Sequence, residues 1–333
     1  MSTLRTHWES LGRAGLLGVG LPSRFGGQGG GPPEVRRAAR RVGHTSFDLG
    51  VGLSWLVHHI VSRFQLGRFG TEEQKAAWLP HLASGEAMAA TSSVATREGE
   101  AELSASAADA DHYHIVGTLP AVINAPAADL LVLFAQLPPS DEDGGLAAFL
   151  IHRDTPGVSY APGDDRGYCP TSPLARVTVD SLIPRVSQLG TVAQAREMLD
   201  QLDEQFDVLR LQVISGYLGQ LLLEVRPLMR RSDRSRLAML VLDGRLQALR
   251  SLNAHLAERW DSPAGDPVDF VAAEAAAREL VRLTRQDLAD LPDHPAVVAA
   301  QRDLQLVRLG WAQTRDRFLA VARAAETDLD PLP

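Results

Sequence analysis

The groups in this sequence best suited to chemistry are a few histidines, one cysteine, four tyrosines and several charge pairs, and most sit in patterns with two readings. His112 and His114 stand two apart in a stretch with strand character, so both leave one face, with Asp109 and Asp111 in the turn before them. Two imidazoles at that spacing either clip a metal ion or lie as surface histidines beside a polar turn. His58-His59 cannot share one ion, because adjacent residues of a helix point about 100° apart. Arg226, Arg230, Arg231, Arg234 and Arg236 crowd one short segment, as a solvated helix end or as an anion clamp. Asp207 and Arg210 lie three apart in a helical stretch and so share a face, where an intrahelical pair is worth roughly 0.2–0.5 kcal/mol. The run Gly26–Gly31 lacks the Lys-Ser/Thr of a phosphate loop and has no strand before it, which favours a plain turn. Cys169 is the single cysteine, excluding an internal disulfide and a Cys-cluster metal site; no metal is expected. No serine occupies a Gly-x-Ser-x-Gly elbow.

The chain that must position these groups has 333 residues, enough for two or three domains. Its 45% hydrophobic and 22% charged composition is that of a globular protein. A net charge of −8 argues against a nucleic-acid partner held by a basic surface. Lys75 is the only lysine among 33 basic side chains, a bias expected of a GC-rich bacterial genome. Neither a membrane-spanning apolar run nor the ordered regions of a signal peptide is evident, so the expected location is cytoplasmic and no membrane partner is expected.

Residues 1–88 read as helices joined by loops, with Thr71-Glu-Glu-Gln74 as a capping-box helix start. Residues 89–190 change period: Tyr113–Val116, Asp129–Phe134, Ala147–His152 and Arg176–Val179 are short strand-like runs between Asp/Gly/Pro turns. Residues 191–333 return to helix, with four helical stretches beginning at Phe206–Val225 and ending at Ala296–Ala325. Helices, a β module and a helical bundle make an α+β chain without the βαβ alternation of a parallel sheet.

Three segments in order resemble the acyl-CoA dehydrogenase family. They are Ala14–Pro22 with Phe25-Gly-Gly27, Phe69–Lys75 with Leu79–Glu86, and Phe149–Val158. The resemblance covers about residues 10–225 and implies an N-terminal helical domain, a middle β-barrel-like domain and a C-terminal four-helix bundle. It also exposes departures. The loop that wraps the flavin in the family reads Val94 at its threonine place and Glu100 at its serine place, setting an anion where a phosphate approaches. The strand whose tryptophan packs on the flavin reads Ala121-Val-Ile-Asn-Ala125, so Ala121 replaces the aromatic wall while Asn124 stays. The family's C-terminal Tyr-Glu-Gly-Thr base motif is missing, and the alternative base position, before the arginine of Phe206-Asp-Val-Leu-Arg210, holds Leu209.

The resemblance implies that Asp207 and Arg210 lie along an acyl-thioester and pantetheine channel. Tyr217, two turns on, with Tyr168 and Cys169, are the candidates for acid–base work in such a channel, with buried packing as the alternative. The expectation is a protein of this fold that binds an acyl thioester, on CoA or on a carrier protein, without flavin or redox chemistry and with no cofactor. The alternatives are a non-catalytic subunit completing a full-length homologue in a hetero-oligomer, and an ordinary FAD-dependent dehydrogenase. Association, as a homo-oligomer or with that homologue, is expected through the C-terminal helices.

Overall fold

The computed structural model describes residues 2–92, 103–138, 145–229, 233–261, 267–291 and 294–309. Its elements follow the expected helical, β, helical order. Packing divides the chain differently from the sequence blocks 1–88, 89–190 and 191–333. One compact unit comprises 1–35, 53–166 and 170–206; the other comprises 36–52, 167–169 and 207–333.

The first unit holds α1 (Ser2–Arg13), the later part of α3 (Leu49–His59), a π-helical stretch Ile60–Leu66, α4 (Gly67–Phe69) and α5 (Glu72–Ser84). The capping box forms as its sequence predicts: Gln74 N–H donates to Thr71 Oγ1 and Thr71 N–H to Gln74 Oε1. The Gln74 amide also donates to the carbonyls of Val186 and Gln188, fastening α5 to the end of the sheet.

Among the described residues seven strands form one sheet: β1 (Ala89–Thr91), β2 (Leu103–Ala107), β3 (His112–Ile123), β4 (Leu130–Leu137), β5 (Gly145–His152), β6 (Val158–Pro162) and β7 (Leu174–Pro184). Their order is β1-β4-β2-β3-β7-β6, with β5 on the other side of β4. β4 and β5 are continuous apolar runs because both their faces are covered. Leu130, Val132, Phe134, Leu146, Ala148 and Leu150 pack towards the helices, and alternate residues such as Leu131, Leu133, Phe149 and Ile151 fill a second core.

The second unit is helical: residues 36–46 of α2 (Pro32–Ser46), residues 207–229 of α6 (Val192–Met229), α7 (Asp233–Asp261), α8 (Pro267–Asp287) and α9 (Pro295–Asp303), followed by the 3-10 turn Leu304–Arg308. α6 is long and apolar enough by composition to cross a membrane, contrary to the sequence expectation, but most of that stretch is buried in protein. α2 and α6 cross at two glycines. A Cβ on Gly43 would overlap the Val213 carbonyl, and one on Gly216 the Arg40 carbonyl, so only glycine allows this approach. The Asn253 amide donates to the Leu211 carbonyl at 3.0 Å, holding α7 against α6.

Candidate functional site

Asp207 and Arg210 occupy one face of α6, 3% and 0% exposed, and form the ion pair their spacing predicts: Arg210 Nη2 to Asp207 Oδ1 at 2.6 Å. The pair extends to α8. Arg278 Nη2 reaches the same Asp207 oxygen at 3.3 Å, and Arg278 Nε donates to Glu274 Oε1 at 2.8 Å. Arg210 and Arg278 also donate to the carbonyls of Leu309 and Val307. Two carboxylates and two guanidiniums thus neutralise one another inside the unit, which is what ions removed from water require. Leu209, at the place of a possible base, is buried beside them and carries no proton acceptor.

A second cluster joins two of the acid–base candidates. Cys169 is fully buried in a left-handed conformation (φ 51°), and its N–H donates to Asp303 Oδ1 at 2.7 Å. Arg302 grips both oxygens of Asp303, each at 2.7 Å. Tyr217, 2% exposed, stacks on Phe47 with ring centroids 5.1 Å apart. Burial holds its phenol well above the ordinary value of 10, reinforced by Asp303, Asp48 and Cys169 and opposed by Arg302. The hydroxyl therefore stays protonated at neutral pH and can donate but cannot act as a base. Tyr168 is half-buried in the same unit.

In the first unit β3 carries the segment that the resemblance sets beside a flavin. β2 pairs with β3 only from Leu103–Gly117 to Ala107–Tyr113, and with β4 only at Ser104–Gln136. Beyond these points, among the described residues, no strand pairs β3 along the edge it shares with β2, and in β4 the Phe134 N–H is held by the side chain of Ser92 instead. Pro120 and Ala121 face Arg176 alone in a β-bulge, which withdraws backbone from the ladder and accounts for a proline inside a strand. Ala121 is exposed there, and no charged side chain stands between Leu119 and Asn124. Asn124 turns the corner after β3 at φ 70°; its amide donates to the carbonyls of Ser54 (2.8 Å) and Ala89 (3.2 Å). Its Oδ1 is buried without a partner among the described residues. Asn124 is thus a conformational corner, which explains why it stays while its neighbours change. Val94 and Glu100 lie outside the described residues.

The remaining candidates resolve separately. His112 and His114 each meet their own aspartate, Asp109 at 3.0 Å and Asp180 at 2.7 Å. His58 accepts from Ala89 N–H at Nδ1, so Nε2 donates to the Leu82 carbonyl; burial lowers its pKa to about 4. His59 stacks on Trp55 (4.6 Å) with neither ring nitrogen partnered among the described residues, and burial pushes its pKa well below 6.5. The Gly26–Gly31 turn folds on itself: Gln28 and Gly29 donate to the carbonyls of Gly18 and Leu21, leaving those amides unable to hold a phosphate. Arg230 and Arg231 lie outside the described residues. Sequence reasoning missed Arg278 and Glu274, although their spacing of four was a visible pair signal, and Asp303, whose link to Cys169 spans 134 residues.

The family profile "Acyl-CoA dehydrogenase, N-terminal domain" matches residues 2–86. The L-prolyl-[peptidyl-carrier protein] dehydrogenase of Pseudomonas fluorescens is 31% identical over 197 residues, 58% of this chain and 52% of that protein. An acyl-CoA dehydrogenase of Bacillus subtilis is 31% identical over 186 residues, 55% of this chain and 48% of that one. The chain thus spans about half the length of the curated relatives it matches. Among solved structures, PigA with FAD and proline superposes with a TM-score of 0.83 at 19% identity, covering 96% of this chain and 88% of that one. Butyryl-CoA dehydrogenase from Megasphaera elsdenii gives 0.81 at 18%, covering 96% and 89%.

The expectation of a chain without cofactor is corrected by these findings, because proteins so similar in fold include FAD complexes. Val94 and Glu100 lie outside the described residues, and Ala121, an exposed methyl in the β3 bulge, adds neither bulk nor charge that would turn a flavin ring away. Among the described residues the bulge offers an exposed methyl at Ala121 opposite Arg176, and Thr91 and Ser92 carry hydroxyls at the end of β1. Its N-terminal match, its relatives and its fold support membership of the acyl-CoA dehydrogenase family.

Proposed function

We propose that the chain is an FAD-dependent member of this family that takes an acyl thioester carried on a carrier protein. The observation that carries the cofactor is the β3 bulge at Pro120–Ala121, which leaves an exposed methyl opposite Arg176 where the resemblance sets the ring, in a fold shared with FAD complexes. The similarity to prolyl-carrier dehydrogenases supports the carrier-linked substrate. Bound FAD supplies a two-electron acceptor for oxidation of the acyl group. Ala121 and the β3 backbone would meet its ring, with Thr91 and Ser92 at the mouth of the following segment. The Asp207–Arg210–Arg278–Glu274 cluster fixes α6 against α8, and Tyr217 offers a hydrogen bond from a phenol that stays neutral.

A second reading is favoured by Leu209: the chain binds flavin and thioester while a partner subunit of the same fold removes the proton. Asp207, Glu274 and Asp303 are each held by arginine and are poorly placed for that task. The test is visible absorption of the purified protein, repeated after FAD addition and desalting, then after anaerobic addition of a carrier-linked acyl thioester. A retained flavin band that bleaches supports the first reading. A band that persists unbleached until a co-encoded homologue is added supports the second. A protein that stays colourless after FAD addition overturns both.

A further inference from the structure

Between β6 and β7 the chain makes a detour whose feet are pinned in the first unit. Gly163 N–H donates to the Leu174 carbonyl at 3.3 Å, Asn124 N–H to the Pro173 carbonyl at 2.8 Å, and Ser54 Oγ to Ser172 Oγ at 3.1 Å. The tip, residues 167–169, packs instead with the helical unit. Gly167 and Pro170 are exposed, and Cys169 between them is wholly buried. Gly167 turns at φ 70° with open space where a Cβ would stand. Cys169 follows at φ 51°, a left-handed conformation that is strained for any residue with a side chain. Its N–H on Asp303 Oδ1 holds the tip down, and Arg302 fixes that carboxylate. The same cysteine and the same carboxylate act on the phenol of Tyr217. Tyr217 is 2% exposed, yet its hydroxyl has no hydrogen-bond partner among the described residues. A buried hydroxyl left unpaired is costly and marks a place for an incoming acceptor. Phe47, stacked on the Tyr217 ring, is itself held at φ 48°. Two of the three non-glycine residues with positive φ among the described residues therefore surround this one phenol.

We infer that residues 167–169 are a strap that lifts from the helical unit on fixed feet and uncovers the Tyr217 hydroxyl. The feet keep their hydrogen bonds while three residues move, so the opening is local rather than an unfolding of either unit. Release of Cys169 from its left-handed conformation offsets part of the hydrogen bond lost to Asp303. A lifted strap lets a neutral hydroxyl donate to an oxygen acceptor brought from outside. A thioester carbonyl is such an acceptor, and that use alone rests on the substrate proposed above.

Cys169 is the single cysteine, so its thiol reports the strap without background. The full chain, as purified and without thioester, is treated with N-ethylmaleimide at a series of urea concentrations below the unfolding transition. Slow but complete alkylation is expected, at a rate proportional to reagent and nearly independent of urea, as an opening that exposes little surface requires. Gly167→Ala sets a Cβ in the left-handed region without a steric contact and should speed alkylation about five- to thirtyfold. Asp303→Ala should speed it about tenfold or more. Asp303→Asn, which keeps an acceptor for the Cys169 N–H, should speed it less. Far-UV circular dichroism of each variant identifies any that misfolds. The adduct keeps the strap from closing, so ultraviolet titration of the alkylated chain should find the Tyr217 phenol ionising nearer its ordinary 10. Alkylation that waits for unfolding of the helical unit, with the full urea dependence of that step, overturns the inference. So do rates unchanged in both Gly167→Ala and Asp303→Ala, or a phenol still raised in the folded adduct. Because the experiment needs neither flavin nor thioester, urea-independent alkylation of a colourless chain would sustain the strap and sink the flavin reading. An active flavoprotein whose Cys169 stays closed would do the reverse.

Discussion

Asp207→Asn keeps the volume of the side chain and removes one of the two negative charges in a cluster that is almost wholly out of water. In the native protein Asp207 and Glu274 balance Arg210 and Arg278; after the change two guanidiniums share Glu274 alone. Both lose the negative charge of Asp207 and keep at most a neutral amide acceptor there, while the Leu309 and Val307 carbonyls still accept one hydrogen bond each. Truncating one partner of a buried pair costs about 3–5 kcal/mol, and the surviving carbonyl contacts set the expectation at about 3. With a urea dependence of about 2–3 kcal/mol per molar, the unfolding midpoint should fall by about 1 M. The assay is urea denaturation followed by far-UV circular dichroism. If the two packing units unfold in separate steps, the loss belongs to the step of the helical unit. Asp207→Leu with Arg210→Met leaves Glu274 and Arg278 as a neutral pair and should cost less than Asp207→Asn alone. A single variant that unfolds within about 0.2 M of the native protein, or a double variant worse than the single, would refute the claim that mutual neutralisation holds this cluster. A raised KM with unchanged stability would instead assign Asp207 to the thioester.

Two pH effects follow from the buried rings. His58 has a folded pKa of about 4 against an ordinary 6.5, so the native state binds fewer protons than the unfolded one between those values. Its contribution to stability is complete above about pH 6.5 and is lost as pH falls through 4, amounting to roughly 3 kcal/mol, and His59 acts in the same direction. His58→Gln should flatten the decline between neutral pH and pH 4.5, read by denaturation at the two pH values. Tyr217 has the opposite sign: a phenol raised above 10 contributes stability below pH 10 that is lost as pH rises towards its folded value. Tyr217→Phe should remove part of the alkaline destabilisation, and ultraviolet titration should find Tyr217 among the last of the four tyrosines to ionise.

The legible parts of the fold were those decided by neighbours in sequence. Thr71 and Gln74 announce a helix start because the capping box is completed within four residues. The apolar runs of β4 and β5 are strands because both their faces are covered, and their β-branched and aromatic content shows it. β2 and β6, Leu103–Ala107 and Val158–Pro162, are polar on one face and escaped notice. The Asp207–Arg210 pair was readable at a spacing of three, but its continuation to Arg278 needed the packing of α6 on α8. Val94 and Glu100 lie outside the described residues, and Ala121 sits in a bulge of β3 that its own motif letters do not show. Pro120 inside a strand was the available sign of that bulge.

The glycine crossing of α2 and α6 also has a consequence for how the chain is made. Arg40 leaves the ribosome about 170 residues before Gly216, the residue whose missing side chain admits it. At roughly 5–20 residues per second, α2 waits on the order of ten to thirty seconds for its partner. Throughout that interval Val42 and Gly43, wholly covered in the finished protein, have no α6 to cover them. Nascent chains interrupted anywhere between the two crossings therefore carry an orphan helix, so slowing elongation over this stretch lengthens exposure to chaperones and proteases without altering one native contact.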